Sequence, residues 1–165
     1  MKVISCVLTQ HNIWLVLLAA IMCMVGILAS VQLWQRSLVA SGRSRVDWCF
    51  LTGVTAGSAI WATHFIAMLG YEPHAPVTFD PQLTIISIII AIVGTTIGFW
   101  LSGSRNRFIA YVAGGATIGL SIAAMHFVGM FAYRVDGFVM WDDLYIAAAI
   151  AMSVTLSIAT TAIIK

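Results

Sequence analysis

Charge is what this chain has least of. Only 8% of its 165 residues are Asp, Glu, Lys or Arg, where a soluble domain carries about 25%. A water-facing surface cannot be made from so few, which excludes a soluble enzyme or carrier. Proline is as scarce, with three residues confined to 73–81, so the apolar runs elsewhere contain no helix breaker. The three cysteines, Cys6, Cys23 and Cys49, have no metal-type spacing and read as small apolar residues. There is no Ser/His/Asp set, no phosphate-cradling glycine loop and no pair of carboxylates inside an apolar run, so no catalytic apparatus is offered. No basic cluster points to nucleic acid. What the chain has is hydrocarbon: 61% hydrophobic residues and a mean hydropathy of +1.01. It reads as an all-α, polytopic membrane protein whose first partner is lipid.

Five runs are long enough to cross about 30 Å of hydrocarbon: Ile13 to Trp34, Val46 to Leu69, Leu83 to Leu101, Phe108 to Phe131 and Leu144 to Ile164. The first is too long for a signal-peptide core and lacks a cleavage pattern after it. Polar breaks separate the runs: a stretch from Gln35 to Arg45 with three arginines, a proline-bounded turn around His74, a basic turn from Ser102 to Arg107, and a loop from Arg134 to Asp143. Asp142 and Asp143 read as an interfacial helix cap, and His74 as a solvated loop residue. With the N-terminus outside, Arg36, Arg43, Arg45, Arg105, Arg107 and Lys165 fall inside, against Lys2 and Arg134 outside. The basic residues therefore predict an N-terminus on the outer side of the membrane. Trp14, Tyr71, Tyr133 and Trp141 then line the outer interface, with Trp34 and Trp48 at the inner one.

The chain repeats itself at a spacing of 62 residues. Thr63-His64-Phe65-Ile66-Ala67-Met68 aligns with Met125-His126-Phe127-Val128-Gly129-Met130, and Gly53-x-Thr55-x-Gly57-x-x-Ile60 with Gly115-x-Thr117-x-Gly119-x-x-Ile122. The repeat unit is two helices, so the copies run parallel, unlike the inverted repeats of many transporters. Spans one and two make one copy, three and four the next, and span five opens a third whose His would fall near roughly position 188. Residues 1–165 thus read as one incomplete membrane domain, and the chain alone is expected to be less stable than an extended one, or to self-associate as a homo-oligomer. The Gly-x-x-x-Gly pairs at 53/57, 94/98 and 115/119 are close-packing faces.

Each copy sets a His and a Met four residues apart, on one helix face. Both imidazoles lie about 8 Å below the outer helix ends at ~1.5 Å per residue, so spans two and four can deliver His64, Met68, His126 and Met130 to one shallow intramembrane layer. His11, at the outer start of span one, falls near that layer. Met125 is a weaker candidate than Met130, because adjacent helical residues point about 100° apart. A lone His can serve as an interhelical hydrogen-bonding group and a lone Met as packing, but a His inside hydrocarbon is costly, and its recurrence in register favours a shared ligand role. Imidazole with thioether suits copper better than zinc or the oxygen-seeking divalent cations.

The two His-x-x-x-Met motifs, with the opening His11-Asn12-Ile13-Trp14, resemble the bacterial MHYT domain over essentially the whole chain. The resemblance implies an integral-membrane sensory domain proposed to bind copper and so sense O2, CO or NO, placed ahead of cytoplasmic GGDEF and EAL modules of cyclic di-GMP signalling or of histidine kinases. The carry-over reaches His64, Met68, Met125, His126 and Met130. The sequence departs from the pattern at Thr63, where Met is usual, at Phe65 and Phe127, where the name-giving Tyr stands, and in lacking a third motif and an output domain. The expectation is a non-enzymatic sensory module, with a diatomic gas as ligand and a cytoplasmic signalling domain as partner. A haem-binding electron carrier and a metal-transporter fragment are the alternatives.

Overall fold

A computed structural model describes residues 11–71, 76–103, 106–135 and 141–164. His74, Glu72, Cys6, Lys2, Arg105, Asp136 and Lys165, which entered the reading of loops and orientation, lie outside the described residues. Among the described residues five helices are long and apolar enough to span a membrane: α1 (Ile13–Val39), α2 (Gly42–Leu69), α3 (Pro81–Ser102), α4 (Arg107–Ala132) and α5 (Asp143–Ile164). The architecture is a polytopic helical bundle in which consecutive helices pack, α1 on α2 through to α4 on α5, and α2 also touches α4.

Local chemistry sets the helix starts. Asn12 accepts from the Trp14 N–H at 3.1 Å, Asn106 from Ile109 and Asp142 from Leu144 at 2.9 Å, each satisfying an amide that has no partner within its helix. Asp80 accepts from Gln82 and Leu83 ahead of Pro81, whose missing N–H costs nothing in a first turn. The arginine-bearing stretch from Gln35 to Arg45 is not the loop its composition suggested. α1 runs on to Val39 and α2 begins at Gly42, with a turn at Gly42, whose φ of +56° favours glycine. Arg36 lies over the Trp48 ring, 5.3 Å from its centroid, so its charge is accommodated on the helix end.

The all-α bundle carries one small addition: Val77–Phe79 (β1) and Tyr133–Val135 (β2) form a short antiparallel pair, with Phe79 opposite Tyr133. An isolated bridge joins His11 to Tyr71 nearby. Trp34 is not an interfacial belt residue. It is 1% exposed and packs 5.8 Å from Phe99, because small residues on α1 let neighbouring helices close around it.

The sequence repeat is also a packing repeat. A Cβ on Gly57 would come within 2.8 Å of the Ala91 and Ile92 backbone, and one on Gly119 within 2.8 Å of the Ser153 and Val154 backbone. Those partners share the 62-residue offset, so α2 meets α3 as α4 meets α5. Hydroxyls cross the same two interfaces at positions that are not repeat mates. Thr95 donates to Gly53 O at 2.9 Å and Ser153 to Gly119 O at 2.8 Å, tying helices together where no water is available.

Candidate metal centre

The parallel course of α2 and α4 brings the two motif histidines into direct contact. Nδ1 of His126 lies 3.4 Å from Nδ1 of His64, with ring centroids 4.9 Å apart and planes at 67°. Aromatic side chains fix both rings. Phe65 stands edge-on to His64 and Phe127 is inclined to His126, while Phe65 is held by Trp61 and Phe79 and Phe127 approaches Trp141. Trp61 in turn donates to Ser87 on α3 at 3.0 Å. The chain of rings continues from Phe79 to Tyr133, so the small sheet sits at the end of the bundle that carries the site.

The other imidazole nitrogen of His64, Nε2, is buried and has no hydrogen-bond partner among the described residues. Gly129 explains how the ring fits. A Cβ there would come 2.7 Å from Nε2, so a glycine in the second copy, where the first has Ala67, makes room for the histidine of the first. Sequence reasoning passed over Gly129; its signal was the Ala67/Gly129 difference, one of three between the six-residue motifs.

A cleft of about 340 Å³ opens beside the pair, lined by His64 and Thr63 of α2, by Met125, His126 and Phe127 of α4, and by Ser153 of α5 among others. Thr63 donates to the Ala59 carbonyl at 2.8 Å, so its hydroxyl is engaged within its helix. Met125 is 1% exposed and is the methionine on this cleft. Met68 and Met130 are half-buried, one helical turn from their histidines, and are not among the residues lining it. His11 is half-buried beside Tyr71, with ring centroids 5.2 Å apart, and is not on the cleft wall either. The structure thus gathers His64, His126 and Met125 around one space and sets Met68, Met130 and His11 outside its lining. No group of three His, Cys, Asp or Glu side chains converges among the described residues, and the soft donor on the cleft wall is the Met125 thioether.

Two nitrogens bound to one ion at about 2.0–2.1 Å, at a tetrahedral angle, stand roughly 3.3–3.4 Å apart. The observed separation fits that bite, and a thioether on the same cleft adds a soft donor of the kind copper prefers. An axial haem pair does not fit, since a macrocycle must pass between its two ligand rings and these rings touch.

The bacterial signalling protein N-terminal repeat family, MHYT, matches residues 57–115 and 119–165. The two matches begin at Gly57 and Gly119, framing each unit as a histidine-bearing helix followed by its neighbour. An uncharacterized signaling protein of Caulobacter vibrioides is 37% identical over 157 residues, covering 95% of this chain and 19% of that protein. The bifunctional diguanylate cyclase/cyclic di-GMP phosphodiesterase MucR of Pseudomonas aeruginosa is 27% identical over 151 residues, 91% of this chain and 22% of that one. The cyclic di-GMP phosphodiesterase NbdA of the same organism is 38% identical over 91 residues, 53% of this chain and 11% of that one. The chain spans about a fifth of the length of the first two relatives. No solved structure matches significantly.

Proposed function

This chain belongs to the MHYT family of bacterial signalling-protein repeats, and from that premise we propose that it is the membrane sensory module of a cyclic di-GMP signalling protein, holding copper between His64 and His126 to read a diatomic gas or redox state. The observation that carries the reading is the 3.4 Å approach of two imidazole nitrogens contributed by two sequence repeats. His64 and His126 would hold the ion through Nδ1, and Met125 supplies the nearest thioether on the cleft. Copper would bring a one-electron couple and an open coordination position for a small ligand. The protein's own part is to fix the imidazoles with Phe65, Phe127 and the space over Gly129, and to keep bulk water from a site walled by Ile60, Ile122 and Ala123.

The site end of the bundle faces the periplasm in this reading, because Arg36, Arg43 and Arg45 lie at the opposite end. A change in occupancy of the site alters how α2 and α4 pack, which is the differential stabilisation a two-state sensor requires, and the opposite helix ends pass it to a cytoplasmic output domain. Copper analysis of the purified chain tests the reading. His64→Ala and His126→Ala should each remove most bound copper, a larger loss than the ~10–100-fold typical of outer-shell changes. Retention of wild-type copper in both variants would return the histidines to a packing role.

A further inference from the structure

The two copies pack in the same register but do not fill it alike. Trp61 on α2 lies against Phe65, with ring centroids 4.7 Å apart, and its Nε1 donates to the Ser87 hydroxyl of α3 at 3.0 Å. An indole therefore fills this level of the α2–α3 interface. The residues 62 positions further on are Ala123 for Trp61, Phe127 for Phe65 and Ala149 for Ser87. The second copy keeps the ring that the indole lies on, and reduces both the indole and its hydrogen-bond acceptor to methyl groups. All three of these residues border the cleft beside the histidines. Part of that cleft is thus the place of a tryptophan side chain that the second copy lacks.

Size and lining fit a ring. An apolar cavity of about 150 Å³ already takes up benzene, and this cleft measures about 340 Å³. Ile122, Ala123, Met125 and Phe127 give it an apolar wall, and Phe127 offers a face or edge for a second ring. Its polar members can serve a ligand's own polar atom. The imidazole of His126 donates or accepts according to tautomer, and the Ser153 hydroxyl, which donates to Gly119 O, keeps lone pairs with which to accept. Nor is this a place that the repeat fills with another helix. In the first copy the next histidine helix, α4, is already packed on α3, and the space still belongs to Trp61.

We propose that the slot at Ala123 and Ala149, between α4 and α5, binds a small uncharged planar ring molecule of indole size, lying against Phe127 as Trp61 lies against Phe65. The slot borders His126 and Met125, so its occupant bears on the histidine pair; that consequence rests on the function proposed above. Binding itself does not require the metal.

The test uses the metal-free chain in lipid nanodiscs and a fluorinated indole followed by its fluorine resonance, with the Met125 methyl and the His126 ring isotopically labelled. The wild type should show saturable binding above the partitioning measured in empty nanodiscs, displaced by unlabelled indole, with shifts at Met125 and His126. Ala123→Trp/Ala149→Ser copies the first interface into the second and should abolish both the saturable binding and the shifts. Ala123→Leu, a smaller change, should weaken them and stands in if the double variant does not fold. Partitioning no greater than in empty nanodiscs would overturn the slot, as would binding undiminished in the Ala123 variants. Binding to this chain that disappears in a longer chain continuing past Lys165 would overturn it too, and assign the space to that continuation. Because no copper is present, indole binding alongside failed copper retention keeps the slot and rejects the metal site, and the reverse result does the opposite.

Discussion

At the residue scale, the histidine pair was legible because it occurs twice. A single His64 reads as a packing residue; a second, 62 positions on, reads as its partner, and the two meet at 3.4 Å. The methionines were less legible. Helical spacing favoured Met130 over Met125, since adjacent side chains diverge by about 100°. The cleft, however, runs from α2 across α4 to α5, wide enough for both His126 and its neighbour Met125 to border it. Met125→Leu, which keeps volume and removes sulfur, should therefore weaken Cu(I) retention more than Met130→Leu does, measured by competition with a Cu(I) chelator. Gly129→Ala forces a methyl against His64 Nε2 and should lower copper affinity about 10- to 100-fold without removing a donor. Equal affinity in Gly129→Ala and wild type would show that the ring has room to move.

At the element scale, helix identity was written in apolar runs and one cap in Asp142, whereas the caps at Asn12, Asp80 and Asn106 emerged only from the structure. The strands were not readable, since three residues are too few for a period of two to register against a turn. What holds them is tertiary: Phe79 against Tyr133, and Arg134 against Asp80 at 3.5 Å. The Asp80 carboxylate accepts from the Leu83 and Gln82 amides and faces Arg134, which together hold its pKa below the ordinary 3.8. A depressed carboxylate contributes stability above its unfolded pKa and loses it as pH falls through the folded value. Asp80→Asn should thus melt below wild type at neutral pH in detergent, with the gap closing under strongly acidic conditions. A gap independent of pH would assign Asp80 a steric role alone.

At the scale of the whole molecule, two parallel histidine-bearing helices, each backed by the next helix in the same register, make one site from two repeats. The repeat was visible in the sequence, and both kinds of neighbour follow it: Gly26 on α1 and Gly94 on α3 pack against the repeat mates Ala59 and Ser121, while Gly57 and Gly119 pack against α3 and α5 at partners 62 residues apart. Topology reporters fused after Gly42 and Ser104 should give cytoplasmic signals, and those after His74 and Gly137 periplasmic ones; swapped signals would place the site at the cytoplasmic face. The central claim, that one ion is shared by two imidazoles from two repeats, is tested most directly by X-ray absorption at the copper edge of the loaded chain. The account expects scattering from two imidazole rings in the wild type and from one in His126→Ala. Identical scattering in both, or copper with no imidazole in its shell, would contradict it.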